Sequence, residues 1–456
     1  MSKNKIILQY QSDAAIKYFA PISNQPWSML LYSGNANHSC NQFDIIVSDP
    51  IVTLTTYQKK TIIIENKKSY ISKENPFNLI YKFINKYKIK NIIDNTIPFN
   101  GGALGIWSYD LARHTEKIPE IAKTDINFPD MAIGIYLWSL TIDHYNKIIT
   151  LISHEDANLR LKWLLSKKIS YKNNFKLTTK WQTNMPKKKY KQNIIRIHKY
   201  LQNGDCYQIN LAQRFKAQYT GNEWQAFILL IKNNAVPFSS YICLQNNIII
   251  CFSPERFISL RNGNIQTRPI KGTLPRLKNI KEDIKQFEKL KNSQKNLAEN
   301  LMIVDLLRND IGKTAIPGSI KVTELFKVEQ FPSVYHLVST ITAKLNKKYN
   351  AIDLLRTCFP GGSITGAPKI RAMEIIEELE PHKRHGYCGA IGYIDFLDNM
   401  DTNIAIRTLI TYKKHIFCWS GGGIVSDSKI NKEYQETLDK ISLILPLLEK
   451  NLSKIN

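Results

Sequence analysis

Phe359-Pro-Gly-Gly-Ser-Ile-Thr-Gly-Ala-Pro368 runs directly into Lys369 to Leu379, where Ala372, Ile375, Ile376 and Leu379 recur at helical spacing. Pro368 suits the first turn of that helix, because the N–H it lacks has no intrahelical partner there. A glycine-rich loop opening into a helix offers free N–H groups to an anion such as a carboxylate. The Gly-Lys-Ser/Thr ending of a P-loop is missing, which argues against nucleotide binding. Ala351 to Cys358, just upstream, reads as a short helix.

Working outward, Leu297, Leu301, Val304 and Leu307 form a helical stripe with Gly312 beyond its end. Glu299 lies off that stripe, and a solvated glutamate is its plain interpretation. On the other side, Asn403 to Tyr412 and His415 to Trp419 read as a hairpin across Lys413-Lys414. Ser420-Gly-Gly-Gly-Ile424 follows, and glycines after a strand allow close approach to a ligand or make a bulge. In the last helix Glu433, Glu436 and Lys440 share one face, with Tyr434, Leu438, Ile441 and Leu445 on another. That face is either a surface ion pair or two carboxylates aimed at a hard cation such as Mg²⁺.

Arg268-Pro-Ile-Lys-Gly-Thr-Leu-Pro-Arg276 places a lysine between two prolines and beside a glycine. Proline is excluded from helix interiors and central strands, so this is a shaped loop or a strand end. Lys271, if desolvated there, loses its proton more readily and becomes a nucleophile; a basic surface loop is the alternative.

The first 160 residues read as β-rich. Phe43 to Val47 and Ile51 to Thr56 predict strand, turn and strand around Asp49-Pro50. Pro76 to Tyr87 predicts an amphipathic helix. Asn100-Gly-Gly-Ala-Leu-Gly105 predicts a turn before an aromatic strand, and Met131 to Ile142 and Lys147 to Ser153 predict two strands. Residues 155 to 188 are polar and lysine-rich and predict a helix plus a connection; Tyr190 to Leu201 then carries a helical stripe.

A length of 456 residues with 43% hydrophobic content supports an ordered chain with a large core. The net charge of +25 invites a nucleic-acid reading, but no nucleic-acid-binding motif accompanies it; the charge does predict attraction for an anionic substrate. Seven cysteines without a Cys-x-x-Cys predict reduced thiols and a cytoplasmic setting. The apolar run Ile6 to Leu8 is too short for a signal peptide, and no run of about 18 apolar residues predicts a membrane span. Cys388, in a partial nucleophile-elbow pattern, reads as a core thiol.

Several longer segments resemble the chorismate-binding enzymes, in that family's order and over nearly the whole chain. They are Cys206-Tyr-Gln-Ile-Asn-Leu-Ala-Gln-Arg214, Phe252-Ser-Pro-Glu-Arg256, Pro269-Ile-Lys-Gly-Thr273, Glu299 to Asp310, Phe359 to Lys369 and Ser420 to Val425. Family members that add water to chorismate carry a lysine base where Gln208 stands, and an amide cannot serve as that base. Anthranilate synthases carry alanine where Lys271 stands; lysine there marks the branch that aminates ring carbon 4. The alternatives are anthranilate synthase component I and, from another class, a nonenzymatic basic nucleic-acid-binding protein.

The resemblance implies an α/β (α+β) fold of the anthranilate synthase component I type, with two antiparallel-rich sheets face to face and helices outside. It divides the chain into an N-terminal region (1–160), a connection (161–188) and a chorismate-binding catalytic region (189–450). The implied activity is amination of chorismate with ammonia to 4-amino-4-deoxychorismate, for 4-aminobenzoate and folate synthesis, through a covalent lysine intermediate. Lys271 is the implied nucleophile and Glu255 the general acid. His336 matches a family active-site histidine. Glu299 and Glu436 are the implied Mg²⁺ ligands, with Glu433 a further one. Arg407, Tyr393 and the amides near Gly422 and Gly423 are expected to hold a carboxylate, with Lys440, Thr365 and Gln208 as further substrate contacts. Asn296 stands where relatives often place an acid. Leu30-Leu-Tyr-Ser33 matches the tryptophan-binding segment of anthranilate synthases, with Tyr32 replacing their glutamate, which leaves Ser33 and Pro237 to line a tryptophan pocket. No glutaminase elbow is present, so ammonia is expected from a separate glutamine amidotransferase subunit, and a pyridoxal-phosphate lyase is expected to act on the product.

Overall fold

Runs of β-branched residues broken by short kinks build two large sheets in the computed structural model, which describes residues 4–34, 41–88, 94, 96–169, 173–234, 236–331, 334–450 and 452. The ladders between their strands are antiparallel. The first, of 13 strands, runs in the order Lys5–Gln9, Ile148–Ser153, Trp138–Asp143, Phe43–Val47, Ser28–Tyr32, Phe238–Cys243, Ile248–Ser253, Thr408–Tyr412, His415–Ile424, Gln208–Thr220 and Lys176–Leu177. Gln182–Thr183 and Gly366–Ala367 attach to Gln208–Thr220.

The second sheet, of 12 strands, begins with Ile270–Pro275 at one edge, then Val334–Lys344, Asn264–Thr267, Arg256–Arg261, Met400–Ile404 and Ala390–Asp395. It continues through Gly102–Trp107, Met131–Tyr136, Val52–Tyr57 and Lys60–Glu65 to Lys68–Ser72. Lys321–Gln330 pairs with the outer side of Val334–Lys344. In each sheet the strands from before residue 160 form one block joined to a block from after residue 175: Ser28–Tyr32 meets Phe238–Cys243, and Gly102–Trp107 meets Ala390–Asp395.

Inward residues of both sheets share one apolar cluster, with Met29, Ile242 and Ile249 from the first and Leu54, Ala103 and Ile391 from the second. A second cluster lies on the outer side of the first sheet, where Phe19, Trp224, Phe227 and Leu164 cover Leu140, Tyr241 and Phe252. A third joins helices Lys187–Gln202 and Lys369–Leu379 to Ile209, Leu211 and Ile424.

Two expected strands are divided, and one expected pair is separated, because the chain steps from one sheet to the other. Phe43–Val47 and Val52–Tyr57 are not a hairpin; they lie in different sheets. The run from Met131 breaks at Leu137, and Asn403 to Tyr412 breaks at Ala405 to Arg407. The expected turn before Ile106 is instead strand from Gly102 onward, paired on both sides. Ser420–Ile424 likewise continues its strand against Leu211 and Asn210.

The helices at Pro76–Tyr87, Ala351–Cys358 and Lys369–Leu379 stand where the sequence places them. The first two are fixed by side-chain caps from Asn75 and Asn350. The helix Gln294–Gly312 buries Ile303, Val304 and Leu307, but Leu301 of the expected stripe is 47% exposed. The six described cysteines are free and buried, and Cys40 lies outside the described residues. Burial pushes the Cys388 thiol up to about 12, as suits a core thiol. Among the described residues no helix is long and apolar enough to cross a membrane.

Candidate active site

Lys271 lies in the edge strand Ile270–Pro275, a position that tolerates flanking prolines. The register with Val334–Lys344 shifts between Lys271 and Thr273. Gly272, at the shift, has φ +75, and a Cβ there would stand 2.9 Å from Asn296 Cγ and Leu290 Cδ1. Such a bulge re-aims the neighbouring side chain. Lys271 Nζ donates to the Ser363 carbonyl at 3.0 Å, inside the loop Phe359 to Pro368. Burial lowers the Lys271 pKa, opposed by the charges of Glu299 and Glu255.

Glu255 occupies one of the steps between sheets, after Ile248–Ser253 and before Arg256–Arg261. It is 6% exposed. The Ser363 hydroxyl donates to its Oε1 at 2.8 Å. Burial raises the Glu255 pKa, and the Ser363 hydrogen bond and the Lys271 charge offset this only in part. A half-buried amine biased toward neutrality and a buried acid biased toward protonation thus meet on one serine. The step carrying Arg407 runs alongside: Phe252 N–H donates to the Arg407 carbonyl at 3.2 Å, and Ile404 N–H to the Glu255 carbonyl at 3.0 Å.

Three acidic side chains gather beyond Lys271. Glu299 projects from Gln294–Gly312, and Glu433 and Glu436 from Ile430–Asp439. Lys295 Nζ bridges two of them, at 2.8 Å from Glu433 Oε1 and 3.6 Å from Glu299 Oε1. Lys440 Nζ contacts Glu436 Oε1 at 2.7 Å and donates to the Gly421 carbonyl at 2.9 Å. Burial raises the Glu299 pKa, countered by Lys271 and Lys295. Burial also pushes Glu436 upward, but Lys440 in particular outweighs it and the net shift is down.

Among the described residues no three His, Cys, Asp or Glu side chains converge into a ready-made cage. Mg²⁺ ordinarily uses one or two carboxylates plus water and substrate, so a cage is not required. Glu299 Oε1 and Glu433 Oε2 are buried without a hydrogen bond, and all three donors are hard oxygens. A Cβ at Gly422 would stand 3.4 Å from Glu436 Oε1 and 3.7 Å from Glu433 Oε2, so the missing side chain keeps this space open. The residues fit the ion.

The remaining expected residues divide into two places. Gln208 is fully buried, and neither atom of its amide has a hydrogen-bond partner. Gly423 faces it: a Cβ there would stand 2.9 Å from Gln208 Nε2. The Arg407 pKa is lowered by burial. Thr365 is fully buried and its hydroxyl donates to the Gly361 carbonyl at 3.0 Å, so it holds the loop's own shape. His336 sits opposite Thr273, with Nδ1 2.8 Å from the Thr273 hydroxyl.

Tyr393 is not brought to this cluster, contrary to expectation. It packs against Phe99 with ring centroids 5.3 Å apart and lines a second cavity of about 420 Å³ with Ser33 and Pro237. The reason is its strand position, in Ala390–Asp395 between Met400–Ile404 and Gly102–Trp107. Ser33 in turn is fixed by Asp44, whose Oδ1 accepts from its N–H at 2.7 Å and its hydroxyl at 3.1 Å.

The model of the chorismate binding enzymes matches residues 29–446. The chain belongs to the chorismate-binding enzymes. It is 53% identical over 450 residues to aminodeoxychorismate synthase component 1 of Escherichia coli (strain K12), covering 99% of both chains. It is 32% identical over 461 residues to anthranilate synthase component 1 of Acetivibrio thermocellus, covering 96% of this chain and 93% of that one. Among solved structures, anthranilate synthase component I of Streptococcus pneumoniae TIGR4 superposes with a TM-score of 0.79 at 31% identity, covering 88% and 92% of the two chains.

Two residues of this chorismate-binding enzyme's site, Ser363 and Lys295, are not evident from the motifs. Ser363 lies inside the loop Phe359 to Pro368, but a serine among glycines carries no chemical signature. Lys295 precedes Glu299 by four residues, a helical ion-pair spacing that was there to be found.

Proposed function

We propose that this chain aminates chorismate at ring carbon 4 with ammonia, giving 4-amino-4-deoxychorismate for 4-aminobenzoate and folate synthesis. The observation that carries the reading is Lys271 directed at the Ser363 carbonyl while the Ser363 hydroxyl contacts Glu255, so that nucleophile and acid are held together. High identity to proteins named aminodeoxychorismate synthase component 1 supports it.

In this reading neutral Lys271 forms a bond from Nζ to ring carbon 2, and the ring electrons shift toward carbon 4. The C4–O bond breaks, and Glu255 gives its proton to the departing oxygen, which leaves as water. Ammonia bonds to carbon 4, the electrons shift back, and the C2–N bond breaks to free Lys271 as a neutral amine. One proton from the new ammonium restores Glu255. The net change is chorismate plus ammonia to aminodeoxychorismate plus water, with one hard substitution divided into two.

Arg407, Gln208 and the strand edge at Gly422 and Gly423 are the groups we assign to substrate anchoring, with Lys440 beside them. A planar guanidinium suits a carboxylate in two parallel hydrogen bonds. Glu299 and Glu436, with Glu433, would hold Mg²⁺, which when bound supplies positive charge to a substrate carboxylate. His336 remains a neighbour tied to Thr273. "Component 1" in the relatives' names supports a second component, which we assign as the glutamine amidotransferase that releases ammonia; a pyridoxal-phosphate lyase would then act on the product. The cavity bounded by Ser33 and Pro237 is assigned to tryptophan, and equilibrium binding of labelled tryptophan tests it: no binding at millimolar concentration removes the assignment.

The deciding experiment incubates the chain with chorismate, Mg²⁺ and ammonium at mildly alkaline pH and identifies the product by mass spectrometry. The expected product exchanges hydroxyl for amino and keeps its enolpyruvyl group. Fluorescent anthranilate instead would assign the chain to the other branch.

A further inference from the structure

Ser363 touches both residues that carry the proposed chemistry. Its carbonyl accepts from Lys271 Nζ at 3.0 Å and from Asn210 Nδ2 at 3.1 Å, and its hydroxyl donates to Glu255 Oε1 at 2.8 Å. The side chain is 7% exposed. The segment around it is pinned from behind. Arg384 donates to the Ile364 carbonyl at 3.0 Å and to the Asn210 carbonyl at 2.7 Å, and is itself held by Glu380 at 2.6 and 2.9 Å. These bonds restrain the segment that carries the serine.

A protonated carboxyl has one oxygen that carries the proton and one that only accepts. An oxygen already accepting a hydroxyl hydrogen is the poorer place for the acid proton. A neutral amine has a single lone pair, and donating one N–H to a fixed carbonyl restricts where that pair points.

We propose that Ser363 is a positioning residue for the amination. Its hydroxyl reserves Glu255 Oε1 as an acceptor, so that the transferable proton stays on Oε2. Its carbonyl fixes one N–H of Lys271, so that the lone pair is turned away from the loop and toward the substrate. The inference rests on the reading of Lys271 as nucleophile and Glu255 as acid.

Ser363→Ala removes the hydroxyl and keeps the carbonyl. Wild type, Ser363→Ala, Ser363→Thr, Glu255→Gln and the Ser363→Ala/Glu255→Gln double variant are compared in single turnovers with excess enzyme, chorismate and free ammonia. Ser363→Ala is expected to lose about tenfold or more in the chemical step, with KM for chorismate little changed. Ser363→Thr, which retains a hydroxyl, recovers most of the rate. In the Glu255→Gln background the serine change costs nothing further, because the hydroxyl has lost the group it acts through. The pH limb belonging to the carboxyl moves to higher pH in Ser363→Ala, since a hydrogen bond to the ionised form is gone.

Equal losses in both backgrounds, an unmoved limb, or an effect confined to KM would make Ser363 merely structural and overturn the proposal. Ser363→Cys, similar in volume but a weak donor, answers the same questions should the alanine variant fail to fold. Wild-type turnover in Glu255→Gln or in Lys271→Ala would overturn the underlying reading and this inference with it. Strongly slowed Glu255→Gln and Lys271→Ala, with an equal serine loss in the wild-type and Glu255→Gln backgrounds, would overturn this inference alone.

Discussion

Lys271 and Glu255 are shifted in opposite directions by the same cause, burial of a charge. That sets the expected pH dependence. Lys271 must lose its proton to act, so the rate rises as pH climbs through its lowered pKa. Glu255 must keep its proton, so the rate falls as pH climbs through its raised pKa. At constant free ammonia, kcat/KM is expected to be bell-shaped, its limbs belonging to the coupled pair. Glu255→Gln should abolish the falling limb and lower the rate by roughly 10²–10⁴-fold; a persisting falling limb would assign the acid elsewhere. Lys271→Ala should lose amination while circular dichroism and the melting temperature hold, because only one half-buried side chain is shortened. Glu436→Gln removes a charge from the oxygen donor set, and Mn²⁺ binding followed by electron paramagnetic resonance should weaken. Unchanged binding there would move the ion to another site.

At the level of elements, the bulge at Gly272 is what aims Lys271. Alanine there would meet both a positive φ and a contact at 2.9 Å from Asn296 Cγ. Gly272→Ala is expected to destabilise the chain by about 1–3 kcal/mol in urea unfolding. It should also cost more activity than that loss of folded protein accounts for. Adding Asn296→Ala should relieve the contact and leave the backbone strain; full recovery would mean that the conformation at 272 does not matter. This scale also separates what the sequence discloses from what it withholds. Helices are legible where the signals are local, as with the amphipathic spacing of Pro76–Tyr87 or Pro368 before Lys369–Leu379. Strands are legible as strands, but nothing in an apolar β-branched run says which sheet receives it. Leu137 and Ala405 to Arg407 therefore passed as strand interior, although the chain changes sheets there. Glu255 and Arg407 both sit at such changes, so their placement could not be read locally; their assignments came from family motifs. Resemblance likewise places Tyr393 with the substrate, whereas its strand position puts it in the second cavity.

For the whole molecule, the net charge of +25 should draw a dianionic substrate toward the site. KM for chorismate is expected to rise as ionic strength is raised about tenfold through the range where the screening length passes about 10 Å. The chemical step should stay nearly constant with Mg²⁺ saturating. A KM indifferent to salt would mean that the excess lysines lie too far from the entrance to matter. The joining of early to late strands in both sheets has a different consequence, one of timing. Lys5–Gln9 finds its partner at Ile148–Ser153, Ser28–Tyr32 finds one at Phe238–Cys243, and Gly102–Trp107 awaits Ala390–Asp395. Non-local pairings of this kind fold slowly and expose strand edges meanwhile. On the ribosome, the first third of the chain must therefore wait with open edges until most of the remainder has been made. A chain halted before residue 390 would leave the strand Gly102–Trp107 without its Ala390–Asp395 neighbour, an open edge of the kind that templates aggregation.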